Sequence, residues 1–253
     1  MKQISGKILD KKYFIFDIDG TLVDSMQIWD MIDKMAVYLA TGVLVKEELI
    51  KSIRDSVLYN ECNLGGNIYD LFYQQIISYF NINMTVDEYK KFRHKYADHL
   101  SKDIVDFKAG ASEFIQILKI LEKKVAIATT TTKSQLEIYS SHNENMKRKF
   151  SINKQADVIV TCEDVEYKKP HPEAYLKAIE KLGAKPEECI VFEDSINGVF
   201  AAKNAGLEVV AVYDKSASDE QDKILNLADY QVESFDELIK ALRLENLMEQ
   251  LQY

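Results

Sequence analysis

Apolar residues follow two different patterns along the chain, and the change from one to the other divides the sequence. Between residues 26 and 100 the apolar positions recur every three or four residues, the period of a helix with one buried face. On either side of this segment, helical patterns alternate with short apolar runs that are too brief to be buried helices. The pattern predicts a helical insert of about 80 residues in a chain that otherwise alternates strands and helices.

The individual elements follow from these patterns. Short apolar runs predict strands over 13–16, 125–128, 157–160, 189–192 and 209–212, with a short sixth over 230–232. Helical periodicity predicts helices over 26–40, 44–58, 68–80, 112–123, 173–182 and 196–205. Three capping boxes, Thr85–Glu88, Ser134–Glu137 and Ser234–Glu237, predict the starts of further helices, and the second helix is expected to run toward Lys149. A polar, Gly-containing segment over 60–67 predicts a loop.

Strands that alternate with helices form a parallel sheet with helices on both faces. The expected fold class is therefore α/β, a doubly wound, Rossmann-like parallel sheet with an inserted all-α domain. We predict that residues 1–24 and 106–253 form the α/β core and that residues 25–105 form the helical domain. The last helix carries Leu238, Leu242, Leu247 and Leu251, and we expect it to dock on its own domain in a monomeric protein.

Composition and charge narrow the classes of protein that fit this chain. Its 253 residues include 41 acidic and 32 basic ones, which gives a net charge of −9, and no basic block is present. We therefore do not expect nucleic-acid binding. The three cysteines, Cys62, Cys162 and Cys189, are far apart and show neither a disulfide framework nor zinc-ligand spacing.

Neither export nor membrane insertion is predicted. The opening residues, MKQISGKILDKK, are interrupted by polar side chains before an apolar signal region could form. No stretch approaches the roughly 18 apolar residues that a membrane span requires. We expect a soluble, cytoplasmic protein with no membrane partner.

The first candidate for chemistry is the end of the first predicted strand. The apolar run Tyr13–Phe16 stops at Asp17 and Asp19, which are followed by Gly20. A hairpin turn is not expected, because residues 21–40 do not form a returning strand. An EF-hand loop is also not expected. Such a loop has a glycine at its sixth position, whereas Gly20 falls at the fourth position when Asp17 is counted as the first. These residues alone leave two explanations of the acidic pair open, a bound divalent cation and an incidental acidic turn.

Polar side chains follow other predicted strands as well, and in a parallel sheet such ends meet at one edge, where ligands bind. Acidic pairs from two strands would repel each other there unless they shared a cation, and oxygen ligands favour Mg²⁺ over zinc. A hydroxyl and a lysine nearby are donors that suit a phosphoryl group. The converging residues are Asp17, Asp19, Thr129, Lys169, Glu193 and Asp194.

Four segments in this order resemble the motifs of the haloacid dehalogenase superfamily. The most similar members are its phosphoglycolate-phosphatase-like and β-phosphoglucomutase-like phosphatases, which carry a helical cap inserted after the first motif. The segments are DIDGTLVDS (17–25), the strand ending in Thr129, KKPHPEAY (168–175) and VFEDSINGVFAAKNAG (191–206). By this resemblance residues 25–105 are the cap.

The resemblance implies a role for each catalytic residue. Asp17 is the expected nucleophile, which forms an aspartyl-phosphate, and Asp19 is the expected general acid and then base. Thr129, with Thr130 beside it, and Lys169 are expected to bind the transferring phosphoryl group. Lys168 is the alternative to Lys169, which is favoured because Pro170 follows it directly.

The resemblance also implies a Mg²⁺ cofactor. Its expected ligands are the carboxylates of Asp17 and Asp194 and the main-chain carbonyl of Asp19. Glu193 either ligates the ion directly or supports it through water.

The expected function is Mg²⁺-dependent hydrolysis of a small phosphorylated metabolite, a phosphomonoester. The alternative is a phosphomutase of the β-phosphoglucomutase type, although residues 54–66 lack the Lys-Gly-x-Ser-Arg pattern of such mutases. A dehalogenase of this fold would not need Asp19 or a magnesium site. A non-catalytic protein would be expected to lack Asp17, Asp19 or Lys169, and all three are present.

Overall fold

The structure is a computed structural model that describes residues 6–61 and 68–251. Residues 62–67, which include Cys62 and most of the predicted loop, lie outside the described residues. Within the part of the chain that is described, no helix combines the length and the apolar character needed to cross a membrane.

Six parallel strands form one sheet in the order β3-β2-β1-β4-β5-β6. The strands are β1 (Tyr13–Phe16), β2 (Lys124–Ala128), β3 (Val158–Val160), β4 (Cys189–Glu193), β5 (Glu208–Val212) and β6 (Tyr230–Val232). All six predicted strands are confirmed. The central strand β1 pairs with β2 on one side and with β4 on the other. Strands β2 and β3 are therefore added on one side of β1, and strands β4 to β6 on the other.

The α-helices account for most of the remaining described chain. They are α1 (Met26–Thr41), α2 (Glu47–Glu61), α3 (Ile68–Tyr79), α4 (Val86–Asp103), α5 (Ala111–Ile120), α6 (Lys133–Glu137), α7 (Glu144–Lys149), α8 (Ile152–Gln155), α9 (Glu173–Leu182), α10 (Ile196–Asn204), α11 (Gln221–Leu227) and α12 (Phe235–Leu251). Helices α8 and α11 were not expected from the apolar pattern.

The chain divides into two compact units, Met1–Asp24 with Asp106–Tyr253, and Ser25–Val105. The first unit contains the whole sheet, and both faces of the sheet are covered. Ile15 and Val191 pack in a cluster that includes residues of α9 and α10. Phe16 points to the opposite face, because side chains alternate along a strand, and it lies 6.3 Å from the ring of Phe114 on α5 and from that of Phe235 on α12. The doubly wound α/β fold is therefore confirmed.

Among the described residues of the second unit, the regular elements are the helices α1 to α4, which have an apolar core of their own. Helix α4 begins with a complete capping box between Thr85 and Glu88, as predicted. A buried ion pair of Asp33 with Arg93 links α1 to α4 inside this unit. Arg54 of α2 also contacts the Asp33 carboxylate, at 2.9 Å.

One helix prediction is wrong. The segment from Ser134 toward Lys149 is not a continuous helix but α6, a π-helical turn over 138–142, and then α7. The side chain of Thr132, rather than Ser134, caps α6 by accepting a hydrogen bond from the Gln135 amide at 3.1 Å. The Asn143 side chain caps α7 in the same way, through the Met146 amide at 3.0 Å. An asparagine that binds the next turn's amide starts a new helix more readily than it continues an old one.

Candidate active site

The candidate active site lies at the carboxyl ends of β1, β2 and β4. Open parallel sheets bind ligands beside the strand where the chain order reverses, which here is β1. Asp17 follows β1 directly, Thr129 follows β2, and Glu193 ends β4 with Asp194 immediately after it. The apolar runs that form these three buried strands thus bring polar residues from distant parts of the sequence to one edge.

Lys169 connects the ends of β1 and β4. Its Nζ donates to Asp17 Oδ1 at 2.7 Å and to Glu193 Oε1 at 2.5 Å, and the side chain is buried. The structure thus places Lys169, rather than Lys168, against Asp17. Burial by itself would lower the pKa of Lys169, but the two carboxylates outweigh it and raise the pKa above its ordinary value.

Tyr175, on α9, holds this lysine from a second side. Its ring centre lies 4.8 Å from Lys169 Nζ, within the range of a cation–π interaction. Its hydroxyl donates to Glu193 Oε1 at 2.8 Å, which is the oxygen that also accepts from Lys169. The tyrosine therefore fixes both partners of the buried ion pair.

Three buried carboxylates lie close together at this site, and Lys169 contacts two of them. Ligand oxygens of Asp17, Glu193 and Asp194 all lie within 4.8 Å of one another. Burial, opposed by Lys169, raises the pKa of Asp17 to about 7. Burial and the neighbouring acids also raise the pKa of Asp194 well above its ordinary value. One lysine does not balance three acids, so a hard divalent cation, which oxygen ligands bind readily, fits this donor set.

Two residues of the first motif shape the space around Asp194. Thr21 donates from Oγ1 to Asp194 Oδ1 at 2.6 Å and so fixes the rotation of the carboxylate. A Cβ built on Gly20 would lie 2.2 Å from Asp194 Oδ2, and Gly20 has a φ of 86°. A glycine is thus needed at position 20 both for its backbone conformation and for the approach of this carboxylate.

Glu193 lies in the same cluster, but both of its oxygens are already engaged. Oε1 accepts from Lys169 and Tyr175, and Oε2 accepts from the amides of Asp194 and Ser195 at 3.0 Å and 3.2 Å. The Ser195 hydroxyl also donates to Oε2, at 3.2 Å. This pattern favours a supporting role for Glu193, which orients Lys169 and the chain at Asp194, over direct ligation of an ion.

The Glu193 carboxylate occupies the space where a side chain at position 198 would lie, and Gly198 has none. A Cβ on this glycine of α10 would lie 1.8 Å from Glu193 Oε1. We expect Gly198→Ala to displace Glu193 and hence Lys169, lowering the free energy of unfolding by about 1–3 kcal/mol and reducing activity. Urea unfolding measures the first effect and ester hydrolysis the second. Wild-type stability and activity in this variant would show that the Glu193 carboxylate can move without cost.

The remaining predicted residues follow β1 and β2. The half-buried Asp19 accepts hydrogen bonds from the hydroxyls of Tyr139, at 2.7 Å, and Thr131. Thr129 is buried and donates from its hydroxyl to that of Thr131 at 3.0 Å, while Thr130 is half-buried beside it. Phosphoryl binding by Thr129 and Thr130 stays a prediction.

A model of the haloacid dehalogenase-like hydrolases matches residues 14–212. The chain belongs to this family. It is 31% identical over 199 residues to Pyrophosphatase PpaX of Bacillus cereus (strain AH820), an alignment that covers 78% of this chain and 81% of that protein. This haloacid dehalogenase-like hydrolase is thus an enzyme, as predicted, and the resemblance found in its motifs is confirmed.

Solved structures of the family share the fold of this hydrolase. CbbY from Rhodobacter sphaeroides in complex with phosphate is 24% identical, with a TM-score of 0.69, and the match covers 90% of this chain and 96% of that one. A Thermotoga maritima protein assigned as a β-phosphoglucomutase is 26% identical, with a TM-score of 0.65 and coverage of 94% and 99%.

Sequence reasoning missed several side chains that this hydrolase places around its predicted residues. Thr21 and Tyr175 lie inside the quoted motifs, so their positions, though not their contacts, were available in the sequence. Thr131 is in the run of four threonines, of which only Thr129 and Thr130 were expected to bind the phosphoryl group. Tyr139 carried no signal at all, because the expected continuous helix concealed the π-helical turn.

Proposed function

We propose that this hydrolase is a Mg²⁺-dependent phosphatase that hydrolyses a small phosphorylated metabolite through an aspartyl-phosphate on Asp17. The observation that carries the proposal is the buried contact of Lys169 with Asp17, beside the carboxylates of Glu193 and Asp194. A nucleophilic carboxylate needs a cation to keep it ionised in a buried place, and a phosphoryl group needs positive charge beside it. The cluster, at one edge of the sheet, supports the proposal on both counts.

Two displacements at phosphorus account for the reaction. An Asp17 oxygen attacks phosphorus, the bond from phosphorus to the ester oxygen breaks, and that oxygen takes a proton from Asp19. Asp19, now a carboxylate, then takes a proton from water while the water oxygen attacks the aspartyl-phosphate. The bond to Asp17 breaks, inorganic phosphate leaves, and Asp17 and Asp19 return to their starting forms.

Other residues hold the charges in place during both steps. Lys169 stabilises the ionised Asp17, and we propose that it also contacts the transferring phosphoryl group. Thr129 and Thr130 are proposed to donate hydrogen bonds to the same group. Asp17, Asp194 and the Asp19 carbonyl would hold Mg²⁺, which would supply positive charge beside the nucleophile and the phosphoryl group.

Substrate choice is the finer part of the proposal. We propose that residues 25–105 act as the cap that selects the substrate. The relative PpaX is a pyrophosphatase, so inorganic pyrophosphate belongs in the test panel together with phosphoglycolate, sugar phosphates and nucleoside monophosphates. A second candidate, phosphomutase activity, is favoured by the match to the protein assigned as a β-phosphoglucomutase. Net release of inorganic phosphate separates the two, because a mutase retains the phosphoryl group in its product.

Removal of metal gives a direct test of the cofactor. We expect EDTA to stop the release of phosphate and added Mg²⁺ to restore it, because Asp17, Glu193 and Asp194 in their ionised forms would carry more negative charge than Lys169 balances. Phosphate release is measured on the panel before chelation, after it and after Mg²⁺ is added back. Full activity in EDTA would contradict a metal-dependent reaction, and a panel without any phosphate release would contradict the phosphatase assignment.

A further inference from the structure

Asp19 is held at both of its carboxylate oxygens by hydroxyl groups. Tyr139 donates to Oδ1 at 2.7 Å, and Thr131 donates to Oδ2. The Thr131 hydroxyl in turn accepts from Thr129 at 3.0 Å. Each donor comes from a different segment of the α/β unit, since Thr131 follows β2 whereas Tyr139 lies beyond α6. Contacts from two sides define both the position and the rotation of the carboxyl group.

The backbone conformation around Tyr139 accompanies its contact with Asp19. Tyr139 lies in the π-helical turn over 138–142, which the Asn143 amide closes by bonding the Ile138 carbonyl at 2.9 Å. A π turn holds an extra residue relative to an α-helix, so it redirects the side chains within it, and such turns are frequent at functional sites. The ring of Tyr139 is fully buried, and a buried tyrosine hydroxyl needs a hydrogen-bond partner. Asp19 provides it.

We propose that Tyr139 and Thr131 are positioning residues for the general acid and base Asp19. This inference rests on the proposed function and extends it to residues outside the motifs. A hydroxyl can donate to a carboxylate and can accept from a carboxylic acid. The pair therefore holds Asp19 in place in both of the forms that the reaction requires, whereas an ammonium group in the same place would hold only the ionised form.

Two aryl phosphates of similar shape test the proposal through the first half-reaction. Phenol is a more basic leaving group than p-nitrophenol, so release of phenol depends more strongly on a proton from Asp19. With enzyme in excess, we expect Tyr139→Phe to slow phenol release from phenyl phosphate about tenfold or more, since general acid catalysis contributes about 10²–10⁴-fold. Release of p-nitrophenol should stay within about threefold of wild type, because its leaving group needs little protonation.

Tyr230→Phe is the matched control. It also removes one tyrosine hydroxyl, which bonds Glu208 at 3.4 Å, but at the far edge strand β6. We expect this variant to release both products at wild-type rates. Thr131→Val removes the hydroxyl that donates to the other oxygen of Asp19, and we expect it to slow phenol release selectively as well. This variant tests the positioning role if Tyr139→Phe fails to fold.

The outcomes separate this inference from the proposed function. A selective loss with phenyl phosphate supports the positioning role. Equal slowing of both substrates, or unchanged rates in Tyr139→Phe and Thr131→Val, would overturn it while leaving an active phosphatase. A wild-type protein that releases neither phenol nor p-nitrophenol would instead count against the proposed function, and the positioning role would fall with it.

Discussion

Asp17→Asn should reduce the hydrolysis of p-nitrophenyl phosphate by at least about 10⁴-fold, as expected when an enzyme loses its nucleophile. The amide cannot form the acyl-phosphate bond, and it no longer pairs as an anion with Lys169, which now lies 2.7 Å from Asp17 Oδ1. The fold should persist, because burial already disfavours the charged form of Asp17, as its raised pKa of about 7 indicates. Rates of p-nitrophenol release and circular dichroism measure the two effects.

Asp24→Asn provides the control for this substitution. It makes the same chemical change within the same motif, but Asp24 is exposed. We expect its rate to stay within about threefold of wild type, as is usual for exposed positions. Undiminished activity in Asp17→Asn would remove Asp17 from the mechanism, whereas equal losses in both variants would point to damage to the motif as a whole.

Lys169→Met should lower activity about 10²–10³-fold, the usual loss when a donor to the developing charge is removed. It should also destabilise the protein, because the buried Asp17 and Glu193 would both lose their cation. Breaking a buried ion pair costs about 3–5 kcal/mol. Lys168→Met is the matched control, since this half-buried neighbour lies outside the Asp17 contact. Its activity and unfolding midpoint should resemble those of wild type.

The destabilisation by Lys169→Met should depend on pH. The folded-state pKa of Asp17 already lies above its ordinary value, and loss of the lysine raises it further. The folded protein then binds more protons than the unfolded chain, so its stability falls as pH rises through the interval between the two pKa values. Metal-free urea unfolding at about pH 5 and about pH 8 measures this slope. Equal stability at both values would show that Lys169 does not carry the charge balance of the site.

The predicted strands agree closely with the structure, because their signal is local. A run such as Tyr13–Phe16 is apolar on both faces, and only the centre of a covered parallel sheet suits it. All six strands were predicted. The helix Glu173–Leu182 was predicted with the correct first and last residues, because Gly183 marks its C-terminal cap. The prediction failed over 134–149, where the side chains of Thr132 and Asn143 decide where helices begin. Competing caps a few residues apart are hard to rank from sequence alone.

The α/β class, the helical insert, the acids at the strand ends and Lys169 follow from the sequence alone, since apolar periodicity and motif spacing are properties of neighbouring residues. The partners of those residues depend on the tertiary structure. Asp17 meets a lysine 152 positions away, and Asp19 meets a tyrosine 120 positions away. Such contacts depend on how the strands align in the sheet and on one π-helical turn. A displacement of a single residue in either would turn Asp17 away from Lys169 or Tyr139 away from Asp19, because each side chain's direction is set by the backbone that carries it.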